Sequence, residues 1–285
     1  MSHFYIHFFK EKSRQLDMLE VVDFFDSIEG FEVEMDEKSV RCNYTHPQLG
    51  YSCGFYMTPK SQVPNIQRIS PQYLEVNFHL RLPILSPTYF VKHVIQLIKK
   101  ICDRFNFFVL SEMFEDVLAF NAERIFKVFE MVKRAYIEKY PDERNKYVFI
   151  REEKLSGILR YIDEKNALQA YYDDLDTILP KYYFIKDEDD ISYIATEWKE
   201  HETIVFPPYL DYILFHQNEG IIKVIAYDEF VEKFKKQLLD VPGFLQDTKV
   251  IPKKHSKAIN KKTKKTKWQP VTKSFTKQSL NIFMD

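Results

Sequence analysis

Leu74-Glu75-Val76-Asn77-Phe78-His79-Leu80-Arg81-Leu82 is the clearest strand signal in the chain. Apolar and polar residues alternate along it, and successive side chains of a strand point to opposite faces. Leu74, Val76, Phe78, Leu80 and Leu82 form one face, expected in the core. Glu75, Asn77, His79 and Arg81 form the other, expected wet. Such a strand belongs to an antiparallel sheet covered on one side.

Working outward, Phe4, Ile6 and Phe8 alternate with Tyr5 and His7, which predicts a strand over 4–9. Ser13 to Ser27 reads as a helix with Leu16, Leu19, Val22, Phe24 and Phe25 on its apolar side, stopped by Gly30. Three short strands follow, Phe31–Met35, Val40–Tyr44 and Tyr51–Met57, separated by Asp36-Glu37-Lys38 and by a turn at His46-Pro47 with Gly50. A loop is expected over Gln62–Pro71. Ser86-Pro87 opens a helix, with Ser as cap and Pro in the first position. Phe90, Val94, Leu97, Ile98, Ile101 and Phe105 form its stripe, and Phe107–Leu110 closes the sheet. The order strand, helix, four strands, helix, strand predicts an α+β fold, a mostly antiparallel sheet with helices on one face. Further helices are expected over 118–139 and over Glu152–Tyr172. Tyr209–Phe215 and Ile221–Ala226 read as a hairpin across Asn218-Glu219-Gly220, and a helix capped by Asp228 runs to Leu239 before Pro242-Gly243. The expected divisions are a sheet domain over 1–116, a helical segment over 117–180, a small mixed α/β unit over 181–244 and a tail over 245–285.

The net charge of −1 conceals an asymmetry. From Thr248 onward there are eleven lysines and one acid, a charge of +10; the preceding residues carry 30 basic and 41 acidic groups, or −11. The tail has little to bury and is expected to be disordered. Lys253, Lys254, Lys257, Lys261, Lys262, Lys264, Lys265 and Lys267 suit a nucleic-acid backbone through counterion release, and Trp268 suits stacking on a base. A solubilising tail, or one folded back on the acidic body, is the alternative.

The first apolar cluster after those lysines is Gln278-Ser279-Leu280-Asn281-Ile282-Phe283. Leu280, Ile282 and Phe283 would enter a groove, with Gln278 bonding at its edge. The hexapeptide resembles the Gln-Leu-x-Leu-Phe peptide by which bacterial replication and repair proteins dock on the DNA sliding clamp. Here Ser279 stands in place of the Gln, or one residue is inserted after Gln278. The resemblance implies a replication or repair protein as partner.

In the body, His7, Glu75, His79 and Arg81 gather on one polar face if their strands are neighbours, and form a candidate partner surface. Histidine with glutamate also suits acid–base work or, with a third group, a metal. Cys42, His46 and Cys53 lack a fourth zinc ligand and any C-x-x-C spacing, so they read as core residues. Asp173-Asp174 with Asp176, and Asp187-Glu188-Asp189-Asp190, suit solvated turns or a divalent cation. A small enzyme of the metal-dependent hydrolase type, sited on the polar face or at these acids, is therefore the rival reading.

No glycine-rich phosphate loop, nucleophile elbow or H-E-x-x-H helix occurs. No cofactor and no metal is expected. The opening residues do not resemble a signal peptide, no run reaches the roughly 18 apolar residues of a membrane span, and three cysteines suit reduced thiols. The expectation is a cytoplasmic, non-enzymatic interaction protein whose acidic body binds a partner and whose basic arm contacts nucleic acid.

Overall fold

A computed structural model describes residues 2–12, 17–37, 39–63, 66–172, 176–217, 220–241 and 243–285. The fold is α+β with mostly antiparallel sheets. The chain divides into two units, Met1–Lys146 and Tyr147–Asp285.

The first unit runs β1 (His3–Glu11), α1 (Met18–Asp26), β2 (Phe31–Met35), β3 (Val40–Thr45), β4 (Ser52–Met57), β5 (Tyr73–Pro83), α2 (Thr88–Phe105), β6 (Phe108–Leu110), α3 (Ala122–Lys139) and the single turn α4 (Pro141–Arg144). Its six-stranded sheet has the order β2-β3-β4-β5-β1-β6, antiparallel at every pairing. Phe4, Ile6, Phe8, Phe55, Phe78, Leu80 and Leu82 pack on Phe25 of α1, the stripe of α2 and Phe129 of α3 in one core. α3 belongs to this unit because Ile125, Val128 and Phe129 are buried in that core, with the Phe129 ring 5.5 Å from Phe4. The unit thus extends past the expected boundary at 116. α2 starts one residue later than expected: Pro87 is its cap, and the Ser86 hydroxyl bonds back to the Pro83 carbonyl at 2.8 Å.

The alternation in β5 does not hold to its start. Phe8 pairs with Phe78, but the next residue, Phe9, pairs with Glu75, so Val76 and Asn77 bulge out of register. Asn77 takes a left-handed φ of 54°, which asparagine tolerates better than most residues. As a result Leu74, expected in the core, is 50 % exposed, while Val76 packs partly against it. Below the bulge, the face expected to be wet is covered locally. Phe9 is buried with Val63, Leu110 and Val117.

The second unit runs β7 (Val148–Phe149), α5 (Glu152–Tyr172), β8 (Thr177–Ile178), β9 (Tyr182–Lys186), β10 (Ser192–Lys199), β11 (Thr203–Phe206), β12 (Tyr212–His216), β13 (Ile222–Ala226), α6 (Tyr227–Phe234), β14 (Leu239–Asp240), β15 (Lys249–Val250), α7 (Lys253–Lys265), β16 (Thr276–Gln278) and β17 (Phe283–Met284). A five-stranded sheet is ordered β13-β12-β10-β9-β16, and a four-stranded one β14-β15-β11-β8. β12 and β13 form the expected antiparallel pair. α6 ends at Phe234, short of Leu239, and its cap is Ala226 instead of Asp228.

The segment read as a separate disordered tail is integral to this unit. β15 pairs with β11, β16 with β9 and β17 with β7, while Ile251, Ile259, Phe283 and Met284 are buried. Lys273 reaches the buried Asp187 carboxylate at 2.6 Å and the Tyr193 hydroxyl at 2.5 Å. Hydropathy does not announce this docking, because strand pairing and a few buried side chains carry it. Trypsin is therefore expected to leave 249–285 attached in the folded chain. Asp187→Asn should speed cleavage after Lys273 and Lys277, read by mass spectrometry of timed samples. Equal rates in both proteins would show that this ion pair anchors nothing.

Candidate functional site

The polar face of the six-stranded sheet is built by register. One row across the strands reads Glu32, Asn43, Gly54, Arg81, Tyr5; the next reads Glu34, Arg41, Tyr56, His79, His7. Of the expected cluster, His7, His79 and Arg81 meet. Glu75 is set apart by the bulge, opposite Phe9, where burial raises its carboxyl pKa against a hydrogen bond from Ser61. Tyr56 is the residue that sequence reasoning missed. Cys53, Phe55 and Met57 point inward, so the alternation of β4 already placed Tyr56 outward.

Arg81 is the centre of this face. Its Nε–H donates to His79 Nε2 at 3.1 Å, and its guanidinium lies 4.6 Å from the Tyr56 ring centre and 5.9 Å from that of Tyr5. The accepting Nε2 places the His79 proton on Nδ1. His79 and His7 are both buried, with ring centres 5.7 Å apart. Burial lowers both pKa values to about 4, and for His79 the positive Arg81 adds to the shift. Both imidazoles are therefore neutral near pH 7, and a charged His79 would repel the arginine it holds.

Gly54 leaves room for the Tyr56 side chain. A Cβ there would stand 2.4 Å from the Tyr56 hydroxyl oxygen and 2.5 Å from its ring carbons. The Tyr56 ring thus lies over residue 54, and its hydroxyl donates to Asn43 Oδ1 at 3.2 Å. Beside it is a cavity of about 500 Å³ whose walls include Arg41, Arg81, Asn43, Tyr56 and Glu34. His7 lies at the wall of a second cavity of about 450 Å³ that also contains Arg68.

The second candidate lies on α7, within the second unit. Ser256, Ile259, Asn260 and Thr263 are its buried positions. Asn260 Oδ1 accepts the His201 backbone N–H at 3.0 Å, and Lys223 Nζ donates to the Lys264 carbonyl at 2.7 Å. At 3.6 residues per turn, Lys254, Lys261 and Lys265 fall opposite that buried side, with Lys257 on its flank. All four are exposed.

Most of the other expected contact residues have a neighbour within the fold. Lys253 pairs with Asp176 at 3.0 Å, Lys264 approaches Glu200 at 3.4 Å, and Lys262 lies 5.5 Å from the Phe234 ring centre. Trp268 is half-buried, not a displayed stacking platform. Its ring packs near Phe230 and Phe234, and its N–H donates to the Thr263 carbonyl at 3.0 Å. Lys267 is exposed just beyond α7. In the terminal hexapeptide, Gln278 pairs with Phe184 in β16, Phe283 is buried 4.9 Å from the Phe184 ring, and Leu280 and Ile282 are half-buried. The fold uses as its own packing what a docking peptide would have to release.

Asp173 and Asp174 lie outside the described residues. Asp187 is held by Lys273, Tyr193 and the backbone N–H groups of Asp189 and Ile191. The lysine, chiefly, pulls its pKa down to about 2. Glu188 accepts the Ser274 N–H, and Asp190 pairs with Lys186. Asp187 and Glu188 tie the C-terminal segment to the β9–β10 turn, and Asp190 closes that turn. Cys42 and Cys53 are buried in the core, and burial raises both thiol pKa values. Among the described residues, no group of three or more His, Cys, Asp or Glu is placed to hold a metal ion. No described helix is long and apolar enough to cross a membrane.

Set beside protein-family models, curated proteins and solved structures, the chain matches none.

Proposed function

We propose that this protein is an interaction protein that contacts the nucleic-acid backbone through the outer face of α7. The observation that carries the reading is the exposed row Lys254, Lys257, Lys261 and Lys265, none of which has an ion-pair partner among the described residues. The row spans roughly 16 Å at 1.5 Å per residue. Docking of Ile259, Asn260 and Thr263 holds it in place, so the charges need not be ordered when a polyanion arrives. Lysines without arginine supply point charges suited to phosphates but no fork for reading a base edge. Recognition is accordingly independent of sequence.

Converting these four lysines to glutamine should weaken binding to a labelled oligonucleotide by more than about tenfold, and lower the slope of log K against log salt by about 3. Fluorescence anisotropy over a salt series measures both. An unchanged slope would remove α7 from the contact. Binding to vesicles of anionic lipid, with none to oligonucleotide, would replace nucleic acid by a membrane surface. A titration of a sliding clamp with the full chain examines the terminal hexapeptide separately. The buried Phe283 favours the α7 contact over that peptide.

A further inference from the structure

We propose that the polar face of the first unit's sheet binds a phosphate monoester of a hydroxylated small molecule, with Arg81 and Arg41 taking the phosphate across the Tyr56 ring. The inference is independent of α7, which lies in the other unit.

The argument begins with how Arg81 is held. Its Nε–H is committed to His79, and its Cζ stands over the Tyr56 ring, with Tyr5 farther off. The Nη N–H groups have no protein acceptor among the described residues, and Arg81 lines the 500 Å³ cavity. A guanidinium held by one edge and stacked near a ring presents its remaining donors at reduced entropic cost. Arg41 enters the same cavity from β3, two strands away; it faces Tyr56 of β4 in register, whereas Arg81 faces Gly54, so the two arginines lie on a diagonal with the Tyr56 ring between them. Neighbouring strands are about 4.8 Å apart and a residue advances about 3.4 Å, so the two arginines approach from opposite sides of a gap of roughly 12 Å between their Cα atoms. One carboxylate satisfies a single guanidinium fork, whereas a tetrahedral phosphate presents oxygens to both sides.

The rest of the wall defines the remainder of the ligand. Glu34 stands on β2 opposite Arg41, with Asn43 and Ser39 near it. A carboxylate there repels a second anionic group and accepts from hydroxyls. The volume lies within the range of small-molecule sites. Hydroxyls at the β2 edge and a phosphate at the arginines describe a sugar phosphate, either alone or as the ribose phosphate of a nucleotide.

The test uses the full chain and calorimetric titration with inorganic phosphate, ribose 5-phosphate and adenosine monophosphate. Ribose 5-phosphate is expected to bind more tightly than inorganic phosphate. Tighter binding of adenosine monophosphate would assign the site to nucleotides, and weaker binding to sugar phosphates. Arg41→Gln, at an exposed position, should weaken ribose 5-phosphate by about tenfold to a hundredfold, the usual loss for a charge-assisted bond. Arg81→Lys should weaken it similarly, since an ammonium keeps the charge but lacks the fork. Gly54→Ala should do so by displacing Tyr56. Far-UV circular dichroism checks that each variant is folded. The four-lysine variant of α7 should bind ribose 5-phosphate as the parent does; a parallel loss there would mean general charge attraction and overturn the site. So would absence of binding at millimolar ligand, or affinity unchanged in Arg41→Gln.

Discussion

Phe78→Ala is expected to destabilise the first unit by about 3–5 kcal/mol, while Leu74→Ala, four positions earlier on the same strand, costs less than about 1 kcal/mol. Phe78 is 1 % exposed and its ring lies 4.8 Å from Phe8, 5.8 Å from Phe25 and 6.0 Å from Phe55. Removing it loses the transfer free energy of the ring and leaves a cavity among aromatics that cannot all collapse inward. Leu74 lies beyond the bulge at Val76-Asn77 and is half exposed, so little apolar area returns to water. Urea unfolding by far-UV circular dichroism measures the difference. Tryptophan fluorescence provides a second trace, because Trp198 and Trp268 both belong to the other unit. Similar losses at 74 and 78 would show that the strand keeps its alternation throughout and has no bulge.

The second large effect is acid sensitivity. In the folded chain His7 and His79 take up protons near pH 4, against 6.5 for an ordinary histidine. Between those values the unfolded chain binds more protons than the folded one, so stability falls as pH falls. A depression of that size corresponds to on the order of 3 kcal/mol for either residue. Most of the loss should occur between pH 6.5 and 4, above the range where Asp187, held near 2, begins to protonate. Replacing His7 and His79 together by glutamine keeps polar groups in place and removes the titration. The variant's stability, followed by urea midpoints from pH 7.5 to 4, should flatten across that window. A slope as steep as the parent's would assign the acid response to other groups. The same protonation breaks the bond from Arg81 Nε to His79 Nε2, so the sheet-face site is expected to loosen over the same interval.

Much of the first unit was legible residue by residue. The three strands after Gly30 lie within a residue of the ranges read from alternation, and the stripe of α2 is the buried face of that helix. The apolar period is imposed by water, which each strand or helix meets on one side whatever its neighbours are. The bulge in β5 was not legible, because a register shift is decided by the partner strand. Tyr56 and Gly54 acquire their meaning only when β4 lies between Arg41 and Arg81.

The C-terminal segment divides the two kinds of information most clearly. The sequence alone separates eleven lysines from most of the acids along the chain. It also determined the α+β class and most inward-facing residues of the first sheet. The folded arrangement makes α7 a docked helix and fixes which lysines remain displayed on it. It alone placed Trp268 and Phe283 in packing and spent Asp187 on Lys273. The physical reason is that α7 docks with one buried isoleucine and several polar groups, Ser256, Asn260 and Thr263 among them. Hydrogen bonds and strand pairings of that kind depend on partners distant in the chain, and leave no period in the local sequence.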